Sequence, residues 1–363
     1  MTRRPGRKPA PLYLAHVVPG LEELAWEELR ERTPAALSIA TWSGFDRRAG
    51  ALLFRSSADL EDLLALRLIE DLFAVVAMTR QLPPGRAGLR VIEGLVEKAD
   101  IDPALALLRQ TGPRRSAARP TYRVVARTAG EQAFRRIDAH RACQVALAQR
   151  FHRWRLVEDG AALEFWLQVV GEEAAFALRL SSASMRQRTY RDASLPAALK
   201  PTVAHALVRL ARPGRGPLLD PMCGTGTVLA EAADAGLAVL GGDVDAAALE
   251  AAQANLRAVG ARDALVRWDA GRLPIADGAV DAVACNLPWG KRHRIGSLDG
   301  LYRRVLAEAR RVARAGGRIA VLTAERAVLE RIARKQRGLT VERKLAVVVR
   351  GADAWAFVFR KTD

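Results

Sequence analysis

Residues 218–233 read LLDPMCGTGTVLAEAA. A short apolar run stops at Asp220, a turn containing Gly224 and Gly226 follows, and helix-forming residues resume near Thr225. Glycines in such a turn tolerate unusual dihedrals and let a ligand approach the backbone. Downstream the unit repeats. An apolar strand at 239–243 leads to a helix at 246–259, strands follow at 264–267 and 280–285, then a helix at 301–315, a strand at 318–323 and a helix at 325–337. Upstream, 197–210 reads as a helix closed by Pro213-Gly214. Buried strands alternating with helices predict a doubly wound parallel sheet. The end breaks that alternation: 345–350 and 355–360 read as two strands around a tight turn, GAD. An antiparallel hairpin closing a parallel sheet is unlike the dinucleotide dehydrogenase arrangement, and GxGxxG is also missing.

The first half follows other rules. Residues 1–10 read as a disordered basic tail. Strands at 13–18, 51–54 and 71–80, with helices at 21–29 and 59–67, make a small α+β unit over 11–80. QLPPGRAG then opens a second segment, with helices at 90–98 and 102–109, the breaker-rich loop TGPRRSAARPT, a strand at 122–127, an amphipathic helix at 137–151, and a hairpin of 163–170 with 174–180 around GEE. SSASMRQRTYRDASLP reads as a polar connection.

The chain has 363 residues, 50% of them hydrophobic and 27% charged, which is globular composition for two or three domains. No apolar run approaches the roughly 18 residues of a membrane span, and LYLAHVV after the basic start is too short and polar for a signal peptide. Cys143, Cys223 and Cys285 are too scattered for a disulfide framework or a zinc site and read as packing residues, so a reducing cytoplasm is expected. The five histidines form no ligand spacing, and no metal is implied. The net charge of +17 is local: 109–155 holds 12 basic residues against two acids, and 301–363 holds 16 against six. Such blocks attract a phosphate backbone, although a GC-rich genome also produces arginine-rich chains.

Three acids and one loop carry the chemistry. Asp220 can accept from an ammonium group at the first strand end. Asp243 ends the next strand, where an acid commonly accepts ribose hydroxyls, while Asp245 is better placed as a helix cap. Asp269, after Trp268, can accept from an adenine amino group. VDAVACNLPWGKR, 280–292, then runs a buried strand into Asn286-Leu287-Pro288-Trp289 at the sheet's carboxyl edge. The exocyclic amine of a base is a poor nucleophile because its lone pair is delocalised. Two acceptors, the Asn286 amide oxygen and the Leu287 carbonyl, can pyramidalise the nitrogen and aim that lone pair. Pro288 stiffens the loop, and Trp289 offers a face for the base, worth about 1–3 kcal/mol.

Residues 197–363 resemble the class I S-adenosylmethionine-dependent methyltransferases. The 286–289 loop is similar to the Asn-Pro-Pro-aromatic motif of amino-group methyltransferases, departing by Leu287 for the first Pro and Trp289 for Tyr or Phe. NLPWGKR with LKPTVAHALVRLA at 199–211 resembles the THUMP-containing tRNA guanine-N2 methyltransferases of the acceptor stem. The resemblance implies an α/β chain with a seven-stranded Rossmann-like methyltransferase sheet and terminal hairpin at 197–363. An α+β ferredoxin-like unit at 11–80, a THUMP module at 81–182 and a linker at 183–196 precede it. YRVVARTAGEQAFRRIDAHRACQVALAQRF fits THUMP, with RLVEDGAAL in place of its usual lead-in.

It further implies S-adenosyl-L-methionine over Asp220, Met222, Cys223, Gly224, Gly226, Thr227, Asp243, Val244, Asp269, Ala270 and Asn286. Asn286, Leu287, Pro288 and Trp289 are the implied catalytic residues. The reaction implied is methylation of guanosine N2 at a position-6-type site in tRNA. RNA contacts are expected from Arg114, Arg115, Arg119, Arg123, Arg135, Arg136, Arg186, Arg188, Lys291, Arg292 and Arg294. A cytoplasmic monomer is expected, and no residue specifies an activating protein partner. Adenine-N6 methylation, protein glutamine methylation and a non-catalytic RNA-binding role are the alternatives, the last disfavoured by the intact acids and Asn286.

Overall fold

The computed structural model describes residues 9–42, 50–112, 120–190, 198–261, 265–289 and 297–363. The chain divides into two compact units, residues 1–185 and 186–363.

The first unit runs β1 (Leu12–Val17), α1 (Glu22–Arg32), β2 (Leu37–Trp42), β3 (Gly50–Arg55), α2 (Leu60–Leu64), β4 (Ile69–Thr79), α3 (Gly85–Glu97), α4 (Asp102–Leu108), β5 (Thr121–Ala129), α5 (Arg136–Arg150), β6 (Arg155–Leu156), β7 (Leu163–Val170) and β8 (Glu173–Arg179). All eight strands form one sheet in the order β2-β3-β1-β4-β8-β7-β5-β6. The segments 11–80 and 81–182 thus share one sheet, joined where β4 pairs with β8. The first six residues of β4 are buried, with β1 on one edge and β8 on the other, in register from Phe73↔Arg179 to Thr79↔Ala174. A strand buried this way needs ladder partners on both edges, and β8 supplies the second from about a hundred residues downstream. The short strands β2 and β6 escaped the sequence reading because their side chains are mostly exposed.

Polar residues are stitched across the middle of this sheet. Arg179 on β8 pairs with Asp71 on β4 and with Glu164 on β7. Glu164 also accepts the Trp166 indole N–H at 2.6 Å and pairs with Arg123 on β5. Arg179 and both of these acids are mostly buried, so each depends on its partner to offset the cost of leaving water.

The second unit contains α6 (Ser184–Gln187), which spans the boundary, then α7 (Pro201–Ala211), β9 (Leu218–Asp220), α8 (Thr227–Asp234), β10 (Val239–Asp243), α9 (Ala246–Ala258), β11 (Leu265–Arg267), β12 (Val280–Asn286), α10 (Leu298–Val312), β13 (Ala313–Thr323), α11 (Arg326–Lys335), β14 (Leu339–Val349) and β15 (Ala352–Lys361). The seven strands lie in the order β11-β10-β9-β12-β13-β15-β14. Pairing is parallel from β11 to β13 and antiparallel through β15 and β14. The predicted doubly wound sheet with its terminal hairpin is therefore present, and the hairpin is longer than the sequence suggested. Its turn is Arg350-Gly351, both at positive φ (52° and 83°), a two-residue connection whose twist matches the flanking strands. Strand order reverses between β9 and β12, so their carboxyl ends open the crevice where doubly wound sheets bind ligands.

A fragment comparison tests the continuous first sheet. Residues 1–80 alone leave the outer edge of β4 unpaired and are expected to aggregate or remain unfolded. Residues 1–185 are expected to show native-like circular dichroism and one cooperative thermal transition. Independent cooperative folding of 1–80 would contradict the dependence of β4 on β8.

Candidate active site

The site is assembled from the carboxyl ends of β9, β10, β11 and β12. After β9 the chain turns through Gly224 at φ 50° and Gly226 at φ 73°. A Cβ on Gly224 would meet no protein atom within 4 Å, so space lies open over this turn. A Cβ on Gly226 would sit 3.0 Å from Ala252 on α9, so that glycine lets α8 start against its neighbour. The Gly224 N–H donates to Asp243 Oδ2 at 2.9 Å, and the Asp245 N–H donates to Asp243 Oδ1 at 3.1 Å. Both Asp243 oxygens are thereby oriented. Asp245 caps α9 through the Ala247 N–H, as the sequence suggested. Val244 follows with 65% of its surface exposed, an apolar face beside a carboxylate.

Asp220 is 2% exposed. Burial pushes its carboxyl up to about 7, and the nearby Asp243 charge pushes the same way, against hydrogen bonds from the Met222 N–H and the Cys285 thiol. Burial also raises the thiols of Cys143, Cys223 and Cys285 well above their usual range, so they serve as packing groups rather than nucleophiles. Thr227 is buried at the start of α8. Ala270 is also buried, whereas Asp269 is exposed and accepts the Gly271 N–H at 2.8 Å.

The supports of this cleft carried weaker sequence signals. The Trp268 indole N–H donates to the Pro221 carbonyl at 2.9 Å, joining the exits of β11 and β9. A side chain on Gly242 would strike the Val266 carbonyl at 2.1 Å and the Trp268 ring at 2.5 Å, and one on Gly241 would strike Leu229 at 2.3 Å, which explains the glycine pair on β10. Asn255 on α9 donates to the Thr225 carbonyl at 2.9 Å. Glu231 on α8 is fully buried and gathers Arg188, Tyr190 and His205.

Across the crevice, β12 ends at the partly buried Asn286. The Trp289 indole N–H donates to Asn286 Oδ1 at 3.1 Å. An indole only donates, so this bond selects the amide oxygen and orients the carboxamide, leaving a second lone pair on that oxygen. Leu287 is buried and donates its N–H to the Leu322 carbonyl at 3.0 Å. The Pro288 carbonyl accepts the Tyr302 hydroxyl at 2.6 Å.

The expected RNA-contacting cations divide. Arg114, Arg115, Arg119, Lys291, Arg292 and Arg294 lie outside the described residues. The Arg188 side chain is 11% exposed and pairs with the buried Glu231. Arg123 is partly exposed and is engaged by Glu164 through Nε and Nη2. Arg135 is exposed and pairs with Asp138 at the start of α5, Arg136 donates to the Ala126 carbonyl, and Arg186 is exposed. Among the described residues, no helix is long and apolar enough to cross a membrane.

Asp220 generates a testable pH dependence. Its folded pKa lies above the unfolded carboxylate value, so the folded state holds the proton more tightly. Its contribution to stability is full at low pH and declines as pH rises from about 4 to about 7. Asp220→Asn, which removes the buried charge, is expected to raise the thermal midpoint of the ligand-free second unit by several degrees at pH 8 and much less at pH 5. Equal shifts at both values would contradict the placement of Asp220.

With this geometry in place, three comparisons are informative. The family model described as UPF0020: RMKL-like, methyltransferase domain matches residues 188–355. The U6 snRNA (guanine-N(2))-methyltransferase THUMPD2 of Bos taurus is 32% identical over 212 residues, covering 56% of this chain and 41% of that protein. The tRNA (guanine(6)-N(2))-methyltransferase THUMP3 of Mus musculus is 28% identical over 226 residues, covering 56% of this chain and 44% of that one. This chain thus spans less than half the length of these two curated relatives. The crystal structure of TrmN from Thermus thermophilus superposes with a TM-score of 0.78 at 28% identity, across 96% of this chain and 99% of that one. The glycine turn, the three acids and the Asn286 loop all fall within residues 188–355, the segment that matches this methyltransferase-domain model.

Proposed function

We propose that this protein transfers a methyl group from S-adenosyl-L-methionine to the exocyclic N2 of a guanosine in tRNA, at a position-6-type site in the acceptor stem. The observation that carries the reading is Asn286 Oδ1, oriented by Trp289 at the end of β12, across the crevice from the open turn at Gly224. The donor set fits the cofactor. Asp220 answers an ammonium group, Asp243 answers ribose hydroxyls, Val244 supplies an apolar face for adenine, and Asp269 answers its amino group. Met222, Cys223, Gly226, Thr227 and Ala270 complete the cradle. The bound cofactor supplies an electrophilic methyl group on a sulfonium.

The chain's own residues prepare the nucleophile. Guanine leaves the stem because its N2 cannot meet a methyl donor inside the duplex. Trp289 stacks the extruded base. Asn286 Oδ1 and the Leu287 carbonyl accept the two N–H bonds of the amine and turn its lone pair toward the methyl carbon. The N–C bond forms as the S–C bond breaks, S-adenosylhomocysteine departs, and the acidic methylated ammonium loses its proton to solvent. Positioning supplies most of the acceleration. The names of the two curated relatives, both guanine-N2 methyltransferases, support guanine over adenine or a glutamine amide. In this reading 11–80 and 81–182 gather the RNA as ferredoxin-like and THUMP portions of one sheet. The enzyme works as a cytoplasmic monomer without a metal.

The test is transfer of labelled methyl groups to unmodified tRNA. Asn286→Ala is expected to lower kcat by about a hundredfold or more while cofactor affinity stays near that of the wild type; retained turnover would defeat the mechanism. Trp289→Ala is expected to raise the KM for tRNA about tenfold through lost stacking, and an unchanged KM would remove the ring from the base site.

A further inference from the structure

The 286–289 loop is gripped from inside the second unit by a chain of hydroxyl groups. Tyr302 on α10 is fully buried, and its hydroxyl lies 2.6 Å from the Pro288 carbonyl and 2.8 Å from the Thr323 hydroxyl at the end of β13. Thr323 is also fully buried, and its oxygen accepts the Glu325 N–H at 2.9 Å. The proton directions follow from chemistry. A carbonyl only accepts, so the Tyr302 proton goes to Pro288. The Thr323 proton then goes to the Tyr302 oxygen, and the Thr323 oxygen receives the Glu325 N–H. Each donor in the series polarises the next. Burial pushes the Tyr302 hydroxyl up to about 12, which keeps it a neutral donor.

Proline has no N–H, so its carbonyl is the one backbone polar group by which Pro288 can be held. The Leu287 N–H is already committed to the Leu322 carbonyl on β13. These two bonds bracket the peptide between Leu287 and Pro288, and that peptide carries the carbonyl assigned above to the substrate amine. Resting on the proposed function, we infer that Tyr302, set by Thr323, is a positioning residue that fixes the amine-accepting geometry of the 286–289 loop. The hydroxyl acts before RNA binds and touches neither cofactor nor base.

Tyr302→Phe removes the one oxygen at issue. It is expected to lower kcat about tenfold or more, with the KM for tRNA and the affinity for S-adenosylmethionine near their wild-type values. Hydrogen exchange in the peptide containing 286–289 is expected to quicken, while exchange in β9 and α8 stays unchanged. Should Tyr302→Phe fail to fold, two variants that leave the ring in place decide the matter. Thr323→Val is expected to lower kcat in the same way, and Thr323→Ser, which keeps the hydroxyl, to restore it. Wild-type kcat in Tyr302→Phe, or equal loss in both Thr323 variants, would overturn the inference. If the wild-type protein methylates no guanosine, the proposed function fails by itself. Exchange in the loop then decides Tyr302, and unchanged protection in Tyr302→Phe overturns its positioning role.

Discussion

The hydrogen bond from the Gly224 N–H to Asp243 Oδ2 is the constraint on which the second unit's site depends. It requires a left-handed backbone at residue 224, which glycine adopts at little cost. It joins the exits of β9 and β10 and orients the carboxylate that those exits frame. Trp268 closes the same corner from β11 by donating to the Pro221 carbonyl, and Gly242 on β10 leaves room for the indole. Once these exits are joined, the open space over Gly224 and the apolar lip at Val244 follow from the path of the chain.

Electrostatics in this cleft favours a positively charged guest. Burial raises the cost of ionising Asp220, and the nearby Asp243 charge adds to it. A cation placed between them relieves both effects. The Cys285 thiol, one residue before Asn286, donates to Asp220, so β12 reaches the acid at the end of β9 through one residue and carries Asn286 as the next. In the proposed reaction, cofactor and amine are thereby referred to the same strand, which suits a transfer governed by alignment.

Much of this was legible in the sequence. Parallel strands covered on both faces leave unbroken apolar runs, so the alternation after residue 197 and the acids at the strand ends stood out, as did the Asn286 loop. Other features left no such mark. Tyr302 and Thr323 look like ordinary core residues because their role lies in hydroxyl directions, not in spacing. The pairing of β4 with β8 joins segments about a hundred residues apart, and nothing local to either strand announces it. Arginine-rich composition likewise conceals which cations pair internally, as Arg123 and Arg188 do with Glu164 and Glu231.

The central claim is that this crevice methylates the exocyclic amine of guanine. The most direct measurement is incubation of the wild-type protein with labelled S-adenosylmethionine and unmodified bulk tRNA, followed by complete digestion and identification of the labelled nucleoside. The account predicts label in N2-methylguanosine alone. Label in methyladenosine, or no label in RNA despite measurable cofactor binding, would contradict it.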